Sequence, residues 1–252
     1  MAEALFWPAV LGYGEAAIAY ASPRYTRLGT WGVRIGWLAQ TALLGVQAAR
    51  VDGFPWSSWA GSLNLFVWLV VGVYLIWGCR QRYRLLGLTV MPLVAVLFVA
   101  ARVGGGTAAG ERSNYSNLFL TVHVGLVLAA FAGFTLAAAL AALYLLEERR
   151  LQRRAPDILR LRLPSLVVLE RVTVRTIAVS LPLLTAGLIA GFVRLRKDGG
   201  GVDALMAATI ATWLVYAAFL ALRPTGRRGA HLALVGFALV ILVRIALAGS
   251  HF

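Results

Sequence analysis

The sequence predicts an all-α, polytopic membrane protein of eight transmembrane helices, and three observations lead there. First, 60% of its 252 residues are hydrophobic and only 13% are charged, against about 25% charged in soluble domains; the mean hydropathy is +0.79. Second, the apolar runs are continuous. A transmembrane helix needs roughly 20 apolar residues, so eight would use about 160, and runs that do not alternate argue against a β-barrel. Third, the formal net charge is +14, but most of the arginines lie between apolar runs. There they set topology and attract anionic headgroups, so the basic balance points to a lipid bilayer and not to nucleic acid.

The spans follow in order as one integral domain over 1–252. The first covers about 5–21; its start, MAEALFWPAV, has no basic segment and reads as a span instead of a cleaved signal. The second covers 31–48. The third, 62–79, follows the loop DGFPWSSW, whose Trp56 and Trp59 suit an interfacial aromatic belt or the wall of a planar apolar ligand. The fourth covers 85–103. The fifth, 118–146, is the longest and runs on through Glu147, Glu148, Arg149 and Arg150. A basic, partly apolar connector over 147–175 is expected next, as an amphipathic stretch on the leaflet or a solvated link. Spans at 176–193, 204–222 and 230–248 complete the set.

Orientation comes from the cations. Seventeen of the 24 Lys and Arg lie in the loops after spans one, three, five and seven: Arg24, Arg27, Arg34, Arg80, Arg82, Arg84, eight between Arg149 and Arg175, and Arg223, Arg227 and Arg228. The positive-inside rule then places both termini outside and the 147–175 connector in the cytoplasm.

Ionisable groups inside spans are the main functional pointers. His123 lies about five residues into the fifth span from its outer end, roughly 7–8 Å deep, and His251 stands at the outer end of the eighth. Two imidazoles on one face suit the axial positions of a haem iron; equally, His123 bonds within the bundle and His251 caps a terminus. His231 begins the eighth span at the opposite face. Arg244, seven residues before His251, shares its helix face and suits a carboxylate such as a haem propionate, or snorkels to phosphate. Glu15, inside the first span, is expected to pair with Arg34; a proton or substrate path is the alternative. A single cysteine, Cys79, excludes an internal disulfide and a multi-cysteine zinc site. No HExxH, GxSxG or GxGxxG motif occurs.

Four stretches together resemble the cytochrome c assembly family, the CcsA/ResC/HemX-like group: FPWSSWAGSLNLFVWLVVGVYLIW, LFLTVHVGLVLAAFAGFTLAAALAALYLLEERRL, LPSLVVLERVTVRTIAVSLPLLTAGLIAG, and ATWLVYAAFLALR with LALVGFALVILV and the closing GSHF. The likeness is clearest over 54–252. It implies eight spans with both termini outside, a bacterial plasma-membrane location, and His123 and His251 as the family's external haem ligands. Haem b would be held non-covalently, with Arg244 near its propionates and Trp56 and Trp59 lining the site.

One departure stands out. The family's tryptophan-rich outer loop, about WxWDPKE, corresponds here to 199–206, where only Asp203 survives and Gly200 and Val202 replace the tryptophans. The resemblance thus implies a haem-binding component of cytochrome c maturation more readily than a complete enzyme. A membrane partner and apocytochrome c would supply the remaining parts, the latter its cysteines for thioether formation. The alternative is a HemX-like regulatory or structural subunit without chemistry.

Overall fold

The computed structural model describes residues 2–50, 58–77, 84–108, 118–153, 165–198 and 204–245, with some side chains in these ranges, Arg244 among them, left undescribed. Every regular element described is helical: α1 (Ala2–Ala19), a 3-10 turn (Pro23–Tyr25), α2 (Thr26–Arg50), α3 (Trp59–Trp77), α4 (Arg84–Val103), α5 (Leu118–Gln152), α6 (Leu166–Asp198), α7 (Ala204–Leu222) and α8 (Gly226–Ile245). The expected all-α class holds. Among the described residues four helices are long and apolar enough to cross a membrane, over Trp59–Ile76, Leu86–Val103, Val122–Gln152 and Leu166–Val193. Shorter apolar helices cover Ala4–Ala19 and Met206–Leu222.

Several helices overrun the apolar segments that announced them. α2 begins at Thr26 and not near 31, and α6 covers Leu166–Asp198 where only 176–193 was expected. Hydropathy marks the stretch that tolerates lipid, whereas helix continues until a breaker interrupts it, and Arg, Glu and Leu are good helix formers. LVVLERVTVR has no such breaker after Pro164, so the described parts of the connector expected over 147–175 belong mostly to the end of α5 and the start of α6.

The chain divides into two compact units, Met1–Leu118 and Phe119–Phe252. In the first, α1 packs most extensively on α2 and then on α4, while α3 joins α4 and α2. The α1–α2 crossing depends on glycine: a Cβ on Gly12 would lie 2.6 Å from the Gly32 carbonyl oxygen, and one on Gly36 would lie 2.8 Å from the Tyr13 ring. Small residues let two backbones approach where no hydrophobic force drives helices together in lipid. Trp37 and Trp68 stack at 5.4 Å, and the Trp68 indole N–H donates to the Thr41 hydroxyl.

In the second unit α7 packs on α8 and α6. α5 is the most buried of the four long apolar helices. Phe134 of α5 stacks on Tyr216 of α7 at 3.8 Å, and the Tyr216 hydroxyl donates to the Ala233 carbonyl of α8. Such a ring pair adds about 0.5–1.5 kcal/mol beyond its buried area. A left-handed Arg223 (φ 45°) ends α7, and Gly226 (φ 63°) opens α8. The Arg223 N–H closes the α7 terminus on the Phe219 carbonyl.

Candidate functional site

His123 stands near the start of α5, half-buried against α6. Two glycines four residues apart on α6 make room for this helix face. A Cβ on Gly187 would lie 2.7 Å from Val127, and one on Gly191 would lie 2.7 Å from His123 Cε1 and 3.4 Å from its Nε2. The imidazole thus lies against bare backbone. Its Nδ1 is 2.6 Å from the Gly187 carbonyl oxygen. A carbonyl only accepts, so Nδ1 carries the proton and donates. In the neutral ring the Nε2 lone pair is then left over.

Metal-binding imidazoles are commonly tied in this way. The second nitrogen is tied to a backbone carbonyl, which fixes tautomer and ring direction and raises the basicity of the ligating nitrogen. The other histidine described makes the same kind of bond, within its own helix and at the surface. His231 is exposed, and its Nδ1 bonds the Arg227 carbonyl one turn back on α8 at 2.7 Å. Among the described residues no group of three or more His, Cys, Asp and Glu gathers to hold a metal ion.

Of the other residues singled out in the sequence, Trp59 is described. It opens α3 in the first unit, half-buried, and a Cβ on Gly104 would lie 2.8 Å from its ring. Trp56, Asp203 and His251 lie outside the described residues, as do Cys79 and the side chain of Arg244. Glu15 does not make the expected pair. Among the described residues no ion pair joins it to Arg34, whose guanidinium instead sits 5.3 Å over the Trp31 ring.

A buried polar network in the first unit escaped sequence reasoning. The Tyr13 hydroxyl donates to Gln40 Oε1 at 2.6 Å, and Gln40 Nε2 donates to the Asn64 side chain and carbonyl at 2.8 and 3.0 Å. Asn64 Nδ2 donates to the Gly106 carbonyl at 3.0 Å, and Gln47 Nε2 donates to the Gly106 and Ala108 carbonyls at 3.1 and 2.6 Å. Gln40, Gln47 and Asn64 are all at most 2% exposed. The network pins the turn after α4 onto the start of α3, where Gly106 meets the Ala60 carbonyl so closely that a Cβ has no room. It thereby fixes the base on which Trp59 stands. The signal was present as two glutamines seven apart on one helix face and an asparagine in an apolar helix.

An all-α polytopic membrane protein with a backbone-anchored imidazole near the end of its longest helix is the class defined so far. The chain belongs to the Cytochrome C assembly protein family, whose profile matches residues 56–248. It is similar to the cytochrome c biogenesis protein CcsA of Microcystis aeruginosa, 27% identical with 92% of this chain and 87% of that protein covered. It is also similar to CcsA of Synechococcus elongatus, at 28% with 84% and 82% covered, and of Guillardia theta, at 28% with 79% and 75% covered. The expected family, multi-pass membrane location and role in cytochrome c maturation are borne out at that level.

Proposed function

We propose that the chain binds haem at the outer face of the bacterial plasma membrane, with His123 and His251 as axial ligands, as the haem-holding component of cytochrome c assembly. The observation that carries this is the Nδ1 bond of His123 to the Gly187 carbonyl, which leaves Nε2 as the ligating atom. The proposal includes eight spans with both termini outside, supported by the seventeen cations at alternate loops. Arg244 would receive a propionate, Trp56 and Trp59 would wall the ring, and Asp203 would mark the remnant of the presenting loop. Bound haem b supplies the vinyl groups that combine with cysteine thiols of an apocytochrome. This chain's residues hold and orient it, and a membrane partner supplies what they do not.

One observation favours a second reading, a HemX-like subunit that keeps the fold without attaching haem: Gly200 and Val202 stand where the family has tryptophans. The test common to both is a Soret band on the detergent-purified protein. Haem should be retained by the wild type and fall at least several-fold in His123→Ala and in His251→Ala. A wild type without haem even after reconstitution, or a band unaltered in both variants, overturns the ligand assignment. Supply of an apocytochrome to the haem-loaded protein and its partner then separates the readings, since only the first yields covalent product.

A further inference from the structure

The polar tips of TWLVY, residues 212–216 in α7, reach different helices. The Thr212 hydroxyl turns back to the Ala208 carbonyl of its own helix at 2.9 Å. The Tyr216 hydroxyl bonds α8 while its ring stacks on Phe134 of α5. The Trp213 indole N–H donates to the Thr185 hydroxyl of α6 at 2.8 Å. Thr185 in turn donates to the Leu181 carbonyl one turn back, also at 2.8 Å, so its hydroxyl is engaged as acceptor and as donor and has a fixed direction. The Trp213 bond therefore acts on the stretch of α6 that meets His123.

Thr185 stands two residues before Gly187, whose carbonyl oxygen is 2.6 Å from His123 Nδ1. Two residues of an α-helix lie about 3 Å apart along the axis and about 200° apart around it. Trp213 thus holds α6 from one side at the level where His123 meets it from the other. This stretch needs holding. Pro182 lies inside α6 and offers no N–H to the Ala178 carbonyl, and helices bend most readily at such a residue. Gly187 and Gly191 have no side chain with which α6 could brace itself on α5; a Cβ on either would lie 2.7 Å from Val127 or from His123. A displacement of α6 away from α5 would stretch the bond to Nδ1, and hydrogen bonds weaken steeply as their geometry is lost. We propose that Trp213 is a positioning residue for His123: its bond to Thr185 keeps the Gly187 carbonyl on the imidazole and so the ring in one orientation. The inference rests on the reading of His123 as a haem ligand and adds a residue to it.

Haem b added to the full-length chain in lipid nanodiscs tests it. Affinity is read by Soret titration, and the orientation of the ligand ring by the electron paramagnetic resonance g-values of the ferric haem. Trp213→Phe keeps an aromatic ring and loses the N–H; Thr185→Val keeps the shape and loses the hydroxyl. Each should weaken haem binding roughly threefold or more, as loss of one hydrogen bond does, and shift the g-values. The double variant should be no worse than Thr185→Val alone, because both substitutions remove the same bond. Thr185→Ser keeps the hydroxyl and should behave as the wild type. A packing role alone would lower the melting temperature and leave the g-values of bound haem in place. Should Trp213→Phe not fold, Thr185→Val against Thr185→Ser decides. Wild-type affinity or g-values in folded Trp213→Phe or Thr185→Val, losses that add in the double variant, or Thr185→Ser as impaired as Thr185→Val overturns the proposal while the ligand reading stands. A wild type that binds no haem, or haem binding unaltered by His123→Ala, overturns both.

Discussion

The imidazole of His123 has little freedom, and that is what makes its environment testable. Gly191→Ala would put a methyl 2.7 Å from Cε1, so the ring must tilt away from the Gly187 carbonyl. The expected outcome is a weakened or shifted Soret band in a protein that otherwise elutes normally, read by absorbance beside His123→Ala. Asn64 offers a second residue-scale test. Asn64→Leu removes one of the two acceptors of Gln40 Nε2 and one of the two donors to the Gly106 carbonyl, and each hydrogen bond lost costs about 0.5–1.5 kcal/mol. The variant should melt at lower temperature in detergent, followed by far-ultraviolet circular dichroism. Neither partner was legible in sequence: the carbonyl that anchors His123 is 64 residues away, and a backbone oxygen leaves no trace in residue identity.

At the scale of elements, glycines separate crossings from free faces. Gly12→Ala would drive a methyl to 2.6 Å from the Gly32 carbonyl oxygen, whereas Gly45→Ala meets open space. The first should destabilise by about 1–3 kcal/mol, as overpacking does. The second should stay neutral or gain slightly, because Ala is the better helix former; thermal unfolding of both in one lipid compares them. Helix identity was readable from apolar runs, and the fifth element was expected over 118–146 and found over Leu118–Gln152. Helix ends were not. Hydropathy reports the lipid-compatible stretch, and α6 shows a polar, arginine-bearing turn continuing the same backbone hydrogen bonding outside it.

For the whole molecule, the arginine distribution makes an outcome measurable without any structure. Reporter fusions at residues 1 and 252 should report the outer compartment, and one inserted near 155 should report the cytoplasm. The opposite pattern would place His123 on the wrong side for an external haem. The sequence alone determined the membrane class, the helical fold, the family and the prominence of His123, because composition, run length and motif are properties of the chain taken in order. Only the tertiary structure decided what His123 is tied to, that Gln40, Gln47 and Asn64 lock the base of Trp59, and that Glu15 and Arg34 stand apart instead of paired. Those facts depend on which helix faces meet, and packing at glycine-lined crossings sets the faces through contacts between residues far apart in the chain.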